Sequence, residues 1–403
     1  MEERRVVVSG IGVIAGNGAG KEAFFKNLCE GKSGLKKCDL FSAKDLRTEY
    51  VGEIGESDFP YLTDLPSEKE RVMCIIEKAV DEAFSDAKLT AREVEDFSER
   101  AYLAFATSLA ANGRILKYVS DNREGKYEPE WLTQIPSFVP WIKKKCGIKG
   151  GCYTTMAACA SGTTAAGIAF DLIKAGKADL VICGGADPLT EFSCLGFNAL
   201  KSLSENTCKP FDKMRDGINI GEGGAFFVIE TFASAKARGA TIYGEIIGYG
   251  INNDAYHITS PSPTGDGAIA SMTMAMAHTE VGPDQVSYVN AHGTGTQLND
   301  KMEALAINRF FEKTGDRVYV STNKSMIGHC MAAAGSIEMA ATLLCLKHGK
   351  VTRNIGIEDM MDECDQHVFP LETVDAEISY AFSNSFAFAG NAASILLGRC
   401  HEE

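Results

Sequence analysis

The 403-residue chain predicts an α/β fold of two similar halves, its sheets sandwiching a central helical layer. Three observations carry the prediction. Strand-like runs alternate with helical ones along the chain. Segments of the first part are echoed in the second. Two helices are apolar nearly all round, the pattern of buried rather than surface helices. The first repeated unit opens at Cys152-Tyr153-Thr154-Thr155, turns at Cys159 and enters a helix over 161–175. It then passes Gly176-Lys177-Ala178 into a strand over 179–183, followed by Gly184-Gly185-Ala186. The second opens over 318–324, turns at Gly328-His329-Cys330, forms a helix over 331–347 and ends at Gly349-Lys350-Val351. Residues 5–12 are echoed by 244–250, and 101–107 by 286–291. The halves therefore divide at 1–243 and 244–403.

Outside the repeats, Val72, Ile75, Ile76, Ala79, Ala83 and Phe84 have the spacing of a surface helix over 67–87. Residues 112–146, with Trp131, Pro136, Pro140 and Trp141, read as an irregular excursion over a cleft or at a subunit contact. Two strands, over 378–382 and 393–397, close the chain.

Composition excludes several classes of function. An apolar content of 45% with 23% charged residues is that of a globular enzyme. A net charge of −14 with no basic tract argues against nucleic acid as a main partner. An acidic partner remains open, because docking depends on local patches. The thirteen cysteines are scattered, and Met1-Glu2-Glu3-Arg4-Arg5 leads straight into Val6-Val7-Val8, so free thiols in a reducing cytosol are expected. Neither a CxxC pair nor a Cys/His set with zinc spacing occurs, so no metal and no cofactor is expected. The longest low-charge stretch, 150–173, is too polar to span a membrane.

Most cysteines in such a chain are small buried apolar residues. Cys159 stands apart, set in Met156-Ala157-Ala158-Cys159-Ala160-Ser161-Gly162-Thr163 between a strand and an alanine-rich helix. A thiol on that turn points out of the fold at the positive end of a helix dipole, which favours thiolate. The small flanking residues let a ligand approach closely.

His292 follows a strand in Asn290-Ala291-His292-Gly293-Thr294-Gly295-Thr296, with glycines that leave room for a substrate. Lys324 and His329 surround another turn, and the flanks of Lys324 are too apolar for a surface loop. Glu338, in the following helix, is placed for a buried ion pair with Lys324. Phe386 and Phe388 lie among small residues in Asn384-Ser385-Phe386-Ala387-Phe388-Ala389-Gly390-Asn391, as core or as a gate.

In this order the motifs resemble those of the β-ketoacyl-acyl carrier protein synthases, condensing enzymes of thiolase-like fold. The resemblance covers essentially the whole chain. It includes Pro210-Phe211-Asp212-Lys213-Met214-Arg215-Asp216-Gly217 and Gly221-Glu222-Gly223-Gly224-Ala225, with Asp300 and Glu303 after the first histidine. It implies α-β-α-β-α layers, a dimer of identical or ketosynthase-like chains, and an acyl carrier protein as partner. By resemblance Cys159 accepts the acyl chain, and the N–H groups of Cys159 and Phe388 hold its oxyanion. His292 and His329 stabilise the enolate of a decarboxylating malonyl group, and Lys324 with Glu338 organises the site. Lys209, Lys213, Arg215 and Arg71 are the candidates for meeting the carrier.

The chain departs from the family where alanines 387 and 389 replace glycines and one residue of the gate motif is missing. Glu68-Lys69-Glu70-Arg71-Val72 is also less basic than in housekeeping members. Both features favour a specialised type II polyketide or aryl polyene pathway over housekeeping fatty-acid elongation. Three alternatives fit the residues less well. A non-catalytic chain-length partner subunit would lack the nucleophile, which is present. A thiolase would need a second cysteine in a Gly-rich turn, and Cys400 lacks that setting, while an initiating synthase would carry Cys-His-Asn.

Overall fold

The computed structural model describes residues 4–55, 71–109, 138–315 and 317–401. Five strands of the first half are β1 (Val6–Ala15), β2 (Ala101–Ala106), β3 (Cys152–Thr155), β4 (Leu180–Asp187) and β5 (Gly223–Thr231). Five of the second are β6 (Gly244–Asn253), β7 (Val286–Asn290), β8 (Tyr319–Ser321), β9 (Tyr380–Phe386) and β10 (Asn391–Gly398). They order as β3-β2-β4-β5-β1 and β8-β7-β9-β10-β6, joined where β1 and β6 pair. In each half the first three are parallel and the last two antiparallel. The echoes between 5–12 and 244–250, and between 101–107 and 286–291, thus fall on topologically equivalent strands. Only three residue pairs, Val6–Ile246, Val7–Glu245 and Val8–Gly244, make the junction.

Helix α1 (Arg71–Asp86) buries Val72, Ile75, Ile76, Ala79, Ala83 and Phe84, so its apolar stripe packs inward; Arg71, Glu82 and Asp86 also turn in, onto Glu222, the Val13 N–H and the Ile11 N–H. Its outer face, with Lys78, Asp81 and Ser85, is exposed, as expected of a surface helix. The expected start of this helix, at 67–70, lies outside the described residues. So does most of the excursion, 112–137, including Trp131 and Pro136, whereas Phe138–Cys146 is a helix carrying Pro140 and Trp141.

Two helices fill the layer between the halves, α2 (Ser161–Lys174) and, after α3 (Glu191–Ala199), α4 (Asp266–Met276) and α5 (Gln297–Phe311), the helix α6 (Ala334–His348). Every residue from Ala334 to Leu346 is buried. A one-turn 3-10 helix precedes each of the central pair, Ala158–Ala160 and Met331–Ala333. The two helices cross at reciprocal glycines. A Cβ on Gly162 would lie 2.5 Å from the Ser336 nitrogen, and one on Gly335 2.4 Å from Thr163 Oγ1. Any side chain at either position would force the helices apart.

Candidate active site

The polar turns that precede α2 and α6 deliver the reactive side chains to one place. In each turn a non-glycine residue takes the left-handed conformation, Ala158 at φ 48° and Met331 at φ 54°. Such backbone costs about 1–2 kcal/mol and concentrates at functional sites. Ser161 holds the first turn by accepting from the Ala157 N–H at 2.8 Å and donating to the Ala158 carbonyl at 2.6 Å. Cys159 follows directly. Its N–H lies in the first turn of a helix, where no intrahelical acceptor exists.

A cavity of about 340 Å³ is lined by Cys159, His292, His329, Phe386 and Phe388, among others. The residues that the sequence separates by up to 229 positions therefore share one chamber. Lys324 stands behind it, 1% exposed, with Nζ bonded to Glu338 Oε1 and to the His292 carbonyl, and 3.2 Å from His292 Nδ1.

These contacts define the histidine tautomers. An ammonium only donates, so His292 Nδ1 accepts from Lys324 and carries its proton on Nε2. His329 Nδ1 accepts from the Met331 N–H at 3.0 Å, so its proton is on Nε2 as well. Burial holds both imidazoles well below 6.5, with the Lys324 charge adding to the effect. The rings meet edge to face at 5.4 Å. The chamber thus offers a pair of neutral imidazole N–H donors beside a thiol.

The carboxylates near His292 are anchors. Glu303 accepts from the His292 and Gly293 N–H groups, both at 2.8 Å, and Asp300 from the N–H groups of Thr294, Gly295 and Phe211. Burial pushes the Glu303 carboxyl up to about 8, against the pull of those donors. Burial likewise raises Glu338 to about 7, with Lys324 pulling it down.

Three expectations need correction. Desolvation outweighs the helix dipole at Cys159, whose thiol is pushed up to about 12 despite Lys324. Burial therefore favours the thiol over the thiolate. Site-specific alkylation of Cys159 by iodoacetamide, followed by peptide mass spectrometry, is therefore expected to accelerate about tenfold per pH unit to beyond pH 9. A plateau reached below pH 8 would show a thiolate instead.

Arg71 and Arg215 are also unavailable for docking. Arg71 makes a buried bidentate pair with Glu222. Arg215 is 7% exposed and donates to the carbonyls of Asp212, Thr296 and Gln297. Lys209 and Lys213 are at the surface, paired with Glu358 and with Asp359 and Asp362.

At the gate, Ala387 is extended at φ −136°, whereas Ala389 takes the left-handed conformation, φ 60°, as does Gly390, φ 75°. The loop is tied down by Ala389 N–H to the Ile258 carbonyl at 2.7 Å, Asn253 Nδ2 to the Ala389 carbonyl at 2.7 Å and Asp254 N–H to the Gly390 carbonyl at 2.9 Å. Phe388 stacks on Phe197 of α3 at 5.6 Å. Sequence reasoning missed Phe197, which reads as an ordinary core aromatic. It also missed Asp187, which accepts from Thr107, Ser108, Leu109 and Ala332. A carboxylate at the end of the apolar strand β4 was the available signal.

Among the described residues, which include all thirteen cysteines, there is no disulfide. No helix among them is long and apolar enough to cross a membrane, and no His/Cys/Asp/Glu group there could hold a metal ion.

Comparison with known proteins agrees along the full length. Residues 3–235 match the model of the beta-ketoacyl synthase N-terminal domain, and 243–358 that of the C-terminal domain. The chain is 34% identical to a 3-oxoacyl-[acyl-carrier-protein] synthase 2 of Synechocystis sp., covering 97% of both, and 33% identical to that of Staphylococcus aureus, covering 98% of both. Among solved structures, the ishigamide ketosynthase/chain length factor superposes with a TM-score of 0.90 at 30% identity, over 99% of this chain and 100% of that one. A type II PKS ketosynthase in complex with its acyl-carrier protein gives a TM-score of 0.90 at 29% identity, with the same coverage. The chain belongs to the beta-ketoacyl synthase family, condensing acyltransferases of thiolase-like fold.

Proposed function

We propose that the chain catalyses decarboxylative Claisen condensation of an acyl group on Cys159 with malonyl-acyl carrier protein. The observation that carries the reading is one chamber holding a thiol and two neutral Nε2–H imidazoles. Cys159 attacks the acyl thioester, the carrier sulfur leaves, and the Cys159 proton ends on the carrier thiol. The N–H groups of Cys159 and Phe388 stabilise the oxyanion of that step. His292 and His329 then donate to the malonyl thioester carbonyl, so that loss of carbon dioxide leaves a stabilised enolate. Its carbon attacks the acyl carbonyl on Cys159, forming the new C–C bond. Cys159 leaves as thiolate and takes up one proton from solvent. Holding both partners in one chamber supplies much of the rate. Lys324 and Glu338 position His292, while Asp300 and Glu303 position its loop.

The matched strand order supports 1–243 and 244–403 as two thiolase-like halves. Relatives that include a ketosynthase/chain length factor pair and a carrier complex support an acyl carrier partner and a dimer, of identical or of ketosynthase-like chains. The tied gate with Ala389 supports a specialised type II polyketide or aryl polyene pathway. Relatives named 3-oxoacyl-[acyl-carrier-protein] synthase 2 favour housekeeping elongation as the second reading.

Intact mass spectrometry after expression with the native pathway tests both levels. An acyl adduct on the wild-type chain, absent from Cys159→Ala, is the expected result, and its mass identifies the chain transferred. An adduct retained by Cys159→Ala would overturn the assignment.

A further inference from the structure

We infer that Asp187 is a positioning residue for decarboxylation: one of its carboxylate oxygens holds the strained turn whose Met331 N–H keeps the His329 proton on Nε2. The inference rests on the functional reading above. Asp187 ends β4, is fully buried, and turns its two oxygens to different parts of the chain. Oδ1 accepts from Thr107 Oγ1 at 2.7 Å and from the N–H groups of Ser108 and Leu109 at 2.9 and 2.8 Å. Oδ2 accepts from the Ala332 N–H at 2.8 Å, with the Ser108 N–H farther off at 3.2 Å. One oxygen thus holds the loop after β2, and the other the turn after His329.

That turn needs an outside hold. Met331 sits at φ 54°, a backbone that a residue with a Cβ keeps only under constraint. The matching turn of the first half is tied from within, because Ser161 bonds both the Ala157 N–H and the Ala158 carbonyl. In the second half Ala334 stands at the place of Ser161, three residues after the left-handed one, and has no hydroxyl to offer. Asp187 supplies the tie from another strand. The His329 backbone is fixed separately, its N–H on the Asn219 carbonyl at 2.7 Å and its carbonyl on the Gly221 N–H at 3.0 Å. What remains to be oriented is the ring, and the Met331 N–H, 3.0 Å from Nδ1, orients it. A relaxed turn would withdraw that donor, and the neutral ring would then populate both tautomers.

Asp187→Asn is isosteric and separates the two oxygens. Its amide oxygen can keep the three donors of 107–109, which leaves its amide N–H groups facing the Ala332 N–H. Burial raises the Asp187 carboxyl to about 6, so at about pH 8 the wild-type group is ionised. There kcat for carbon dioxide release from the malonyl thioester is expected to fall about tenfold in Asp187→Asn, with KM little changed. Acyl transfer to Cys159, followed by intact mass, should hold or quicken. Burial is the main force raising that thiol and the Asp187 charge adds to it, so neutralising Asp187 eases its ionisation. Adding Met331→Gly to Asp187→Asn should recover part of the decarboxylation, because glycine takes the left-handed backbone without strain. Thr107→Val, which touches only the Oδ1 side, should leave decarboxylation within about twofold of wild type. Spectra of 15N-histidine read the ring itself, with the His329 signal assigned by its loss in His329→Asn. Wild-type His329 should be neutral with its proton on Nε2, and Asp187→Asn should mix the tautomers. A proton on Nδ1 in the wild type would overturn the inference without any variant. So would equal loss of both reactions in Asp187→Asn, or a Thr107→Val defect as large, since Asp187 would then merely hold the fold together. A wild-type chain that releases no carbon dioxide would instead sink the functional reading, and this role of Asp187 with it.

Discussion

Replacing either His292 or His329 with alanine is expected to slow malonyl decarboxylation by about 10²–10³-fold, the usual cost of removing one preorganised donor. Acyl transfer to Cys159 should lose far less, because in the proposed mechanism its oxyanion would be served by backbone N–H groups. The two reactions are read separately, as carbon dioxide release from the malonyl thioester and as acyl adduct by intact mass. Asparagine, which keeps an N–H donor, should restore part of the decarboxylation. The pH dependence has a definite sign. Burial and Lys324 hold both rings below their ordinary value, so both stay neutral donors as pH falls from 8 through 6.5. Decarboxylation should therefore show no break at the histidine pKa of about 6.5 that an exposed ring would produce. Equal loss of both reactions in the alanine variants would mean that the rings merely hold the chamber together.

The second large effect is expected at Lys324. Lys324→Met removes the one cation bonded to Glu338, whose other oxygen, Oε2, is buried without a partner. Stranding a buried carboxylate in this way costs about 3–5 kcal/mol. Chemical denaturation should show that loss, and the Lys324→Met/Glu338→Leu double variant should recover much of it. Decarboxylation should stay low in both variants, because His292 Nδ1 loses the donor that defines its tautomer. Recovery of activity along with stability in the double variant would show that Lys324 acts only as a structural counter-charge.

The site residues were legible because their neighbours are wrong for anything else. Lys324 lies between residues too small and apolar for a solvated loop, and Cys159 is flanked by alanines where a strand turns into a helix. The repeat was legible because equivalent strands keep similar apolar runs. What could not be read depends on distance across the fold. Arg71 and Arg215 look like surface charges until Glu222 and the 296–297 carbonyls close on them. Desolvation of Cys159 is a property of the packed chamber, so a turn that favours thiolate still ends with a thiol. Phe197 declares nothing locally, because its role exists only opposite Phe388.

The repeated turn has one more implication. Ala332 occupies in the second half the place Cys159 holds in the first, one residue after a left-handed backbone at the start of the 3-10 turn. Its N–H is not open to the chamber: the Asp187 carboxylate receives it at 2.8 Å. The fold thus builds the same socket twice. In the mechanism proposed above the first socket would receive a substrate oxygen; the second is filled by the protein's own carboxylate, so the second copy serves as a brace for the first.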